Sequence, residues 1–424
     1  MRISALIAAL ALSVSSLACS NLSALSPARQ GDLPALKKAL DEDFRGGRLT
    51  RDAVTELSRA LASHELRVAT GNDAIRRAHQ VSPCAGALDN ALLERVERKD
   101  DVSAVAALLL LDAHRGDALA WHARASDENS AWRAVGTRTL QFPVDGELRR
   151  ARMVDPDETV RLAAVRVSEE AFDFADRGVL GDVARRDPNE QVRAAALRAL
   201  SATADAQVVT LLKDLWPLAG ESTRQGIVAA WGWTGAFSRG GLEQIVWAAE
   251  TQEGTASLVA GGILMRHGGD SRGPGLAAVA KGMRSGAVKD RAFAVTLAPL
   301  DDARMLELLV TASKESEPKV QVAALERLAG DEKHRAKSLA TLGQLSVAGG
   351  AASGFARAAM ARLGDRRVTT LLVEDAKSSR PELRERAAQL LTELGDWGRA
   401  AQALADPDVD VRTRVACRLL VSGP

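Results

Sequence analysis

The chain has 424 residues, of which 46% are hydrophobic and 26% are charged, and its formal net charge is +1. This composition excludes an intrinsically disordered chain, because the apolar residues suffice to bury a large core. Aromatic residues make up 3% of the sequence and tyrosine is absent, which argues against β-sandwiches and β-barrels. We therefore predict an all-α protein rich in Ala, Leu, Arg and Glu.

The N-terminus has the pattern of a secretory signal peptide, which we assign to residues 1–18. One positive charge at Arg2 precedes an apolar run over residues 3–14, and small residues precede Cys19. The run is shorter than the roughly 20 residues that a membrane-spanning helix needs. The sequence therefore predicts export.

The segment from Ser16 to Cys19 resembles a bacterial lipobox, in which the cysteine thiol receives a diacylglyceryl group. The lipobox prefers Leu where this chain has Ser16, and the same small residues also fit ordinary signal cleavage. We favour the lipoprotein interpretation, with lipid attachment at Cys19 and a flexible lipidated tether over residues 19–30. The segment lacks the Asp that often follows the cysteine of proteins retained at the inner membrane, so the resemblance implies the periplasm or outer membrane of a Gram-negative bacterium.

The charge balance of the mature chain excludes a typical nucleic-acid partner. Removal of residues 1–18 leaves 55 basic and 55 acidic side chains. A nucleic-acid binder needs a net or clustered positive charge to gain from counterion release. The same balance argues against a DNA glycosylase.

Residues 31–119 are helical in pattern, with apolar periodicity over residues 33–40, 53–66 and 88–98. They lack the repeated motif that follows them. We interpret them as an atypical helical N-terminal capping region, continuous with the repeats. Degenerate repeats are the alternative.

Residues 120–424 contain an internal repeat. Four segments align without gaps, each with an Asp six residues before an Arg and an apolar residue just before that Arg: 127–133, 155–161, 187–193 and 406–412. Weaker copies start near Leu218, Gly254, Ser285, Glu315, Gly350 and Ser378. From Asp127 to Asp406 is 279 residues, which nine intervals divide into 31 each. Ten units are predicted.

The sequence of each unit predicts a helix start followed by an apolar stripe. Asp155 and Asp187 are predicted N-caps, with a proline at the first helical position and a glutamate at capping-box spacing. Small apolar residues then recur at helical spacing, as in Val192, Ala195, Ala196 and Ala199. A second set of apolar-periodic segments lies between these helices, so each unit is a helical hairpin.

The motif Asp-Pro-x-x-x-Val-Arg-x-x-Ala-Ala resembles a HEAT repeat, and the short period resembles the HEAT-like repeats of phycobilisome lyases. The resemblance implies an α-solenoid, a superhelix of helical hairpins. Because the Asp–Arg pair recurs in every well-preserved unit, it indicates a structural ladder rather than an active site. We assign this ladder to Asp127, Arg133, Asp155, Arg161, Asp187, Arg193, Asp406 and Arg412.

Two features are candidate partner-binding surfaces. Arg138, Arg166 and Arg198 each follow the apolar anchor of their unit by six residues and predict a basic row on three successive helices, although a cation near a helix C-terminus also complements the macrodipole. Trp231 and Trp233 lie in the glycine-rich segment 219–286, where they serve either as binding hot spots or as fillers between small-residue helices.

The sequence offers no metal or cofactor site. No two of the six histidines lie three or four residues apart. Cys84 and Cys417 lie near opposite ends of the chain, and we favour two buried thiols over a disulfide.

The sequence-based hypothesis is therefore an exported, monomeric HEAT-repeat scaffold that binds a protein or peptide, has no catalysis and no cofactor, and reaches the membrane through its lipid alone. The alternative is an enzyme or enzyme accessory resembling the HEAT-like bilin lyases, for which fold analogy is a weak argument.

Overall fold

The computed structural model describes residues 22–100, 102–116, 118–171, 173–202 and 206–422. The predicted signal peptide and Cys19 lie outside these ranges. The described residues form α-helices joined by short turns and contain no β-strand, which confirms the predicted all-α fold of the α-solenoid class. The described residues form two compact units: those within 1–116 and 364–424, here called the terminal unit, and those within 117–363, here called the central unit.

Six α-helices are described in the N-terminal part of the terminal unit. They are α1 (Leu25–Gln30), α2 (Leu33–Arg45), α3 (Arg51–Val68), α4 (Gly71–Val81), α5 (Asp89–Glu97) and α6 (Ser103–Asp112).

The described part of the central unit contains the next seventeen α-helices. They are α7 (Ala118–Trp121), α8 (Ser130–Arg138), α9 (Gly146–Arg152), α10 (Glu158–Glu170), α11 (Arg177–Arg186), α12 (Glu190–Ser201), α13 (Ala206–Leu215), α14 (Glu221–Trp231), α15 (Thr234–Ala236), α16 (Leu242–Thr251), α17 (Gly254–His267), α18 (Arg272–Gly282), α19 (Val288–Leu297), α20 (Ala303–Ala312), α21 (Pro318–Leu328), α22 (Glu332–Val347) and α23 (Gly350–Arg362).

Four more helices complete the terminal unit: α24 (Thr369–Asp375), α25 (Pro381–Glu393), α26 (Trp397–Ala401) and α27 (Val409–Val421). Helix α27 packs against α25 of the preceding repeat and also against α3 and α4 from the N-terminal part. The N-terminal helices are thus grouped with the last repeats in one compact unit.

The predicted tether is wrong for the described residues from 22 to 30. Helix α1 lies in this segment, and Ala24 and Ala28 are buried. The backbone N–H of Ala24 donates to Oδ2 of the buried Asp43 at 3.0 Å, and the Ser23 hydroxyl donates to Oδ1 of the same carboxylate at 3.0 Å. The segment is held by these bonds and by packing of α1 on α3.

The predicted apolar stripe forms the core of the central unit. Val192, Ala195, Ala196 and Ala199 are all buried in α12. Small side chains let neighbouring helices approach closely, and burial of the stripe is the main favourable term for a helix of this length. A separate cluster around Val295 and Leu309 continues the core toward residue 328.

The helix caps lie two residues later than predicted. Helix α10 is capped by Asp157, whose carboxylate accepts from Thr159 N–H, and α12 is capped by Asn189. Asp155 and Asp187 stand two residues earlier and accept from the N–H groups of Asp157 and Asn189 at 3.0 and 2.9 Å. The aspartate of the motif therefore shapes the turn before the helix, and its neighbour caps the helix.

Among the described residues, no helix is both long enough and apolar enough to cross a membrane.

Candidate functional site

The repeated Asp and Arg side chains meet across neighbouring repeats. Arg161 donates from Nε to Asp187 Oδ2 at 2.7 Å and from Nη2 to Asp187 Oδ1 at 3.0 Å. Its Nη1 donates to the backbone carbonyls of Asp155 and Pro156, at 2.9 and 3.0 Å, in the turn of its own repeat. One guanidinium therefore fixes its own turn and binds the carboxylate of the next repeat in a bidentate manner. We call such an arginine–carboxylate pair a rung.

The same rung geometry recurs in both units. Arg133 binds Asp155 at 2.9 and 3.0 Å, and Arg384 binds Asp406 at 2.7 and 2.8 Å. A looser rung joins Arg291 to Glu315 at 3.1 Å. Asp127, the first aspartate of the pattern, accepts from Arg124 and from Asn129 N–H. The rungs thus tie successive hairpins together at the turn between the first and second helix of each repeat.

The rung environment sets the charge state of its carboxylate. Burial alone raises the pKa of the Asp155 carboxyl, but hydrogen bonds from Arg133 and from Asp157 N–H outweigh burial and hold that pKa below its ordinary value. The carboxylate is therefore ionised at neutral pH, as a bidentate partner of a guanidinium must be.

The last rung uses a residue that the sequence analysis missed. Arg412 donates from Nε to Glu65 Oε1 at 2.6 Å, and Glu65 is a buried residue of α3. Close by, Asp410 of α27 pairs with Arg77 of α4. Neither Glu65 nor Asp410 lies six residues before an arginine as the motif aspartates do. The repeat pattern therefore did not predict these two contacts.

The predicted arginine row is paired with acidic side chains at the end of α10. Arg138 binds the carboxylate of Glu170, and Arg198 donates to Glu169 at 2.8 Å. Arg166 is half-buried on α10 itself. A partner that binds this row must compete with Glu169 and Glu170, which the sequence analysis did not consider.

The two predicted tryptophans have different surroundings. Trp231 is buried, stacks on Trp216 with the ring centroids 5.7 Å apart, and donates from Nε1 to Val209 O. Trp247 meets both rings edge-on. Trp231 is therefore a core residue and cannot bind a partner in this structure, whereas Trp233 is 52% exposed.

Cys84 and Cys417 form a disulfide in the terminal unit, with their Cα atoms 5.4 Å apart. The preference for two free thiols was wrong. That preference rested on the large separation of the two cysteines in the sequence. The packing of α27 against the N-terminal helices brings them close together in space.

Exposed aromatic side chains lie at three of the connections between repeats of the central unit. Phe142 lies between α8 and α9, Phe174 between α10 and α11, and Trp233 between α14 and α16; they are 49%, 64% and 52% exposed. These connections lie at the ends of the hairpins opposite to the rungs. We call the three residues the aromatic edge, since equivalent connections of stacked repeats follow one edge of the array.

Arginine and aspartate side chains hold two of these connections in place. Arg149 of α9 donates to Asp176 at 2.6 Å and to Asp173 at 3.1 Å, beside Phe174. Asp145 accepts from Gln141 N–H at 2.7 Å and contacts His122, which fixes the loop that carries Phe142. The aromatic side chains are thus presented from loops with fixed geometry.

Within the described residues, no group of three or more His, Cys, Asp and Glu side chains is arranged to hold a metal ion.

No protein-family model and no curated protein matches the sequence. Solved structures similar to the chain include YibA of Escherichia coli, at 13% identity over 66% of this chain and 92% of that one, with a TM-score of 0.31. A homology model of the AP-3 complex is 11% identical over 90% of this chain and 80% of that one, with a TM-score of 0.34. UNC-45 from Drosophila melanogaster is 13% identical over 89% of this chain and 66% of that one, with a TM-score of 0.29. Similarity at this level carries no argument about function, and the assignment to the helical-repeat fold rests on the helices and rungs of the chain itself.

Proposed function

We propose that this protein is an exported HEAT-like scaffold that binds a protein or peptide partner along the aromatic edge. The observation that carries the proposal is the recurrence of Phe142, Phe174 and Trp233 as exposed side chains at equivalent connections. Exposed single apolar residues are common on protein surfaces, but aromatic side chains repeated along one edge of an array are typical of an interaction surface.

The rungs and the core supply a fixed frame for such a surface. Each complete rung holds two adjacent hairpins through charge-assisted hydrogen bonds, so the spacing between successive connections is set before a partner binds. A preorganised surface loses less conformational entropy on binding than a flexible one.

The disulfide supports the export part of the proposal. Bonds such as Cys84–Cys417 form and persist in oxidising compartments and are rare in the bacterial cytosol. We propose that the chain crosses the inner membrane with residues 1–18 as its signal peptide and that Cys19 receives a lipid. Replacing Cys19 with Ser is expected to move the protein from the membrane fraction to the soluble periplasmic fraction. An unchanged membrane fraction would contradict lipidation, because the lipid is the proposed anchor.

Partner binding is tested by placing the photoreactive residue benzoylphenylalanine at Phe142, Phe174 or Trp233 in living cells. Phe355, an exposed phenylalanine on helix α23, is the matched control position. We expect the same partner mass to be crosslinked from the three edge positions and not from Phe355. If the edge positions give no adduct, or if Phe355 gives the same adduct, the aromatic edge is not the binding surface.

A further inference from the structure

The ladder is interrupted after Arg193, in the central unit. The next repeat has Leu218 at the position of the rung aspartate, three residues before the first residue of α14, just as Asp187 stands three residues before α12. Leu218 is 73% exposed. The guanidinium of Arg193 therefore has no carboxylate opposite it in the next repeat.

The orientation of Arg193 is nevertheless that of a rung arginine. Its Nη1 donates to the backbone carbonyls of Asp187 and Pro188 at 2.7 and 3.1 Å, as Nη1 of Arg161 does to its own turn. These two bonds direct the Nε and Nη2 edge toward the next repeat. In the part of the chain that the structure describes, no hydrogen-bond acceptor meets that edge.

A cavity of about 210 Å³ lies at this position. Three arginines line it (Arg185, Arg186 and Arg193), together with Leu218, Gly220 and Thr223. Nε of Arg185 is buried and has no hydrogen-bond partner within the described residues, while Nη1 of Arg185 lies 3.7 Å from Asp182. Asp187 also lines the cavity, but its carboxylate is bound by Arg161 on the other side.

The backbone around the cavity adds donors rather than acceptors. Helix α14 begins beside it, and its N-cap residue, Gly220, has no side chain to accept from the first N–H groups. Orphan N–H groups at a helix start favour an anion. The arginines, not the helix start, make the cavity selective for an acid.

We infer that this cavity is a carboxylate-binding site, in which the Asp or Glu side chain or the C-terminal carboxylate of a bound peptide completes the interrupted rung at Arg193. The cavity is smaller than the roughly 300 Å³ at which small-molecule pockets begin, and it fits one acidic group. The inference goes beyond the proposed function, because the cavity lies at the rung end of the hairpins and the aromatic edge lies at the other end.

The first test completes the rung within the chain. Leu218→Asp places a carboxylate opposite Arg193, with Leu218→Asn as the uncharged control of the same shape. We expect Leu218→Asp to raise the Tm above that of Leu218→Asn, and the difference to vanish when Arg193→Gln is added. Equal Tm values for the two Leu218 variants would overturn the inference.

The second test supplies the carboxylate from solution. The probe is N-acetyl-aspartate N-methylamide, followed through the arginine Nε–Hε signals in NMR spectra, and the C-terminal form is tested with N-acetyl-glycine. We expect one of the two probes to shift the Arg193 signal and to bind at least about tenfold more weakly to Leu218→Asp, where the bidentate site is filled.

Arg384→Gln is the matched control for the second test, because it removes an arginine from a complete rung in the other unit. That variant should keep the response to the probe, and in Arg193→Gln the probe should no longer shift the Nε–Hε signal of Arg185, which lines the same cavity. Identical responses in the wild type and Arg193→Gln, or a stronger response of the Arg193 signal to inorganic phosphate at the same concentration, would contradict a carboxylate site. These results do not depend on whether a partner is crosslinked at the aromatic edge.

Discussion

Arg412 of the last repeat and Glu65 of helix α3 are 347 positions apart in the sequence, and their side chains are joined at 2.6 Å. Arg412 also donates to the backbone carbonyls of Asp406 and Pro407, as the other rung arginines do in their own turns. The terminal unit thus continues the ladder with an acid from outside the repeats. The N-terminal helices provide the partner that the last repeat would otherwise lack, and they cover its apolar face.

A complete rung should contribute more to stability than the interrupted one. We expect Asp187→Ala to destabilise the protein by on the order of 3 kcal/mol, because it leaves the buried guanidinium of Arg161 without its carboxylate. Thermal unfolding measures the effect. Arg193→Gln is the comparison, since its Nε and Nη2 groups have no carboxylate to lose, and we expect a change within about 1 kcal/mol. Equal losses in the two variants would show that the rungs are not what stabilises these turns.

The disulfide should matter for the terminal unit. Cys84→Ser is expected to destabilise this unit by about 2 to 4 kcal/mol, because the bond restricts the unfolded chain over a separation of 333 residues. A thiol titration of the denatured Cys19→Ser protein gives an independent check. It should find no free thiol before reduction and two thiols afterwards, and free thiols before reduction would show that the bond does not form.

The repeats were predictable because their signals are local. The Asp–Arg spacing of six residues and the apolar stripe both lie within one hairpin, so the sequence shows them without knowledge of the partner repeat. The helix caps were predicted two residues too early, because Asp155 and Asp157 are both good capping residues. The proximity of Asp157 to the apolar stripe that begins at Val160 was the signal that could have decided between them.

The contacts between the chain ends were not predictable from the same signals. Glu65 lies in a helix without the repeat motif, and its partner lies 347 residues away. Nothing in the spacing of Cys84 and Cys417 indicates a bond, because their proximity depends on how α27 packs against α3 and α4. The aromatic edge was missed for a different reason: Phe142 and Phe174 each lie 13 residues before a motif aspartate, Asp155 and Asp187, and so fall outside the Asp–Arg segments that were aligned.

The two tryptophans at the end of α14 should respond oppositely to substitution. Trp231→Ala is expected to cost roughly 3 to 5 kcal/mol, because it removes a fully buried ring that stacks on Trp216. Trp233→Ala should change stability by less than about 0.5 kcal/mol and reduce partner crosslinking from the neighbouring edge positions. Thermal unfolding and the crosslinking yield at Phe174 separate the two effects. A large loss of stability in Trp233→Ala would assign that residue to the core as well.

The rung at Asp155 should make stability depend on pH in the acidic range. The pKa of Asp155 in the folded protein lies below its ordinary value of 3.8, so the unfolded chain takes up a proton at higher pH than the folded one. The stabilising contribution of Asp155 is therefore complete above the pKa of the unfolded chain and is lost as the pH falls through the pKa of the folded protein, within the range from about pH 5 to pH 1.

We expect the Tm difference between the wild type and Asp155→Asn to be largest near neutral pH and to shrink as the solution is acidified. Asp214→Asn, which changes an exposed carboxylate outside the ladder, is the control and should differ little from the wild type at any pH. A Tm difference for Asp155→Asn that stays constant down to the lowest pH would mean that the charge of this carboxylate, and with it the rung to Arg133, does not stabilise the fold.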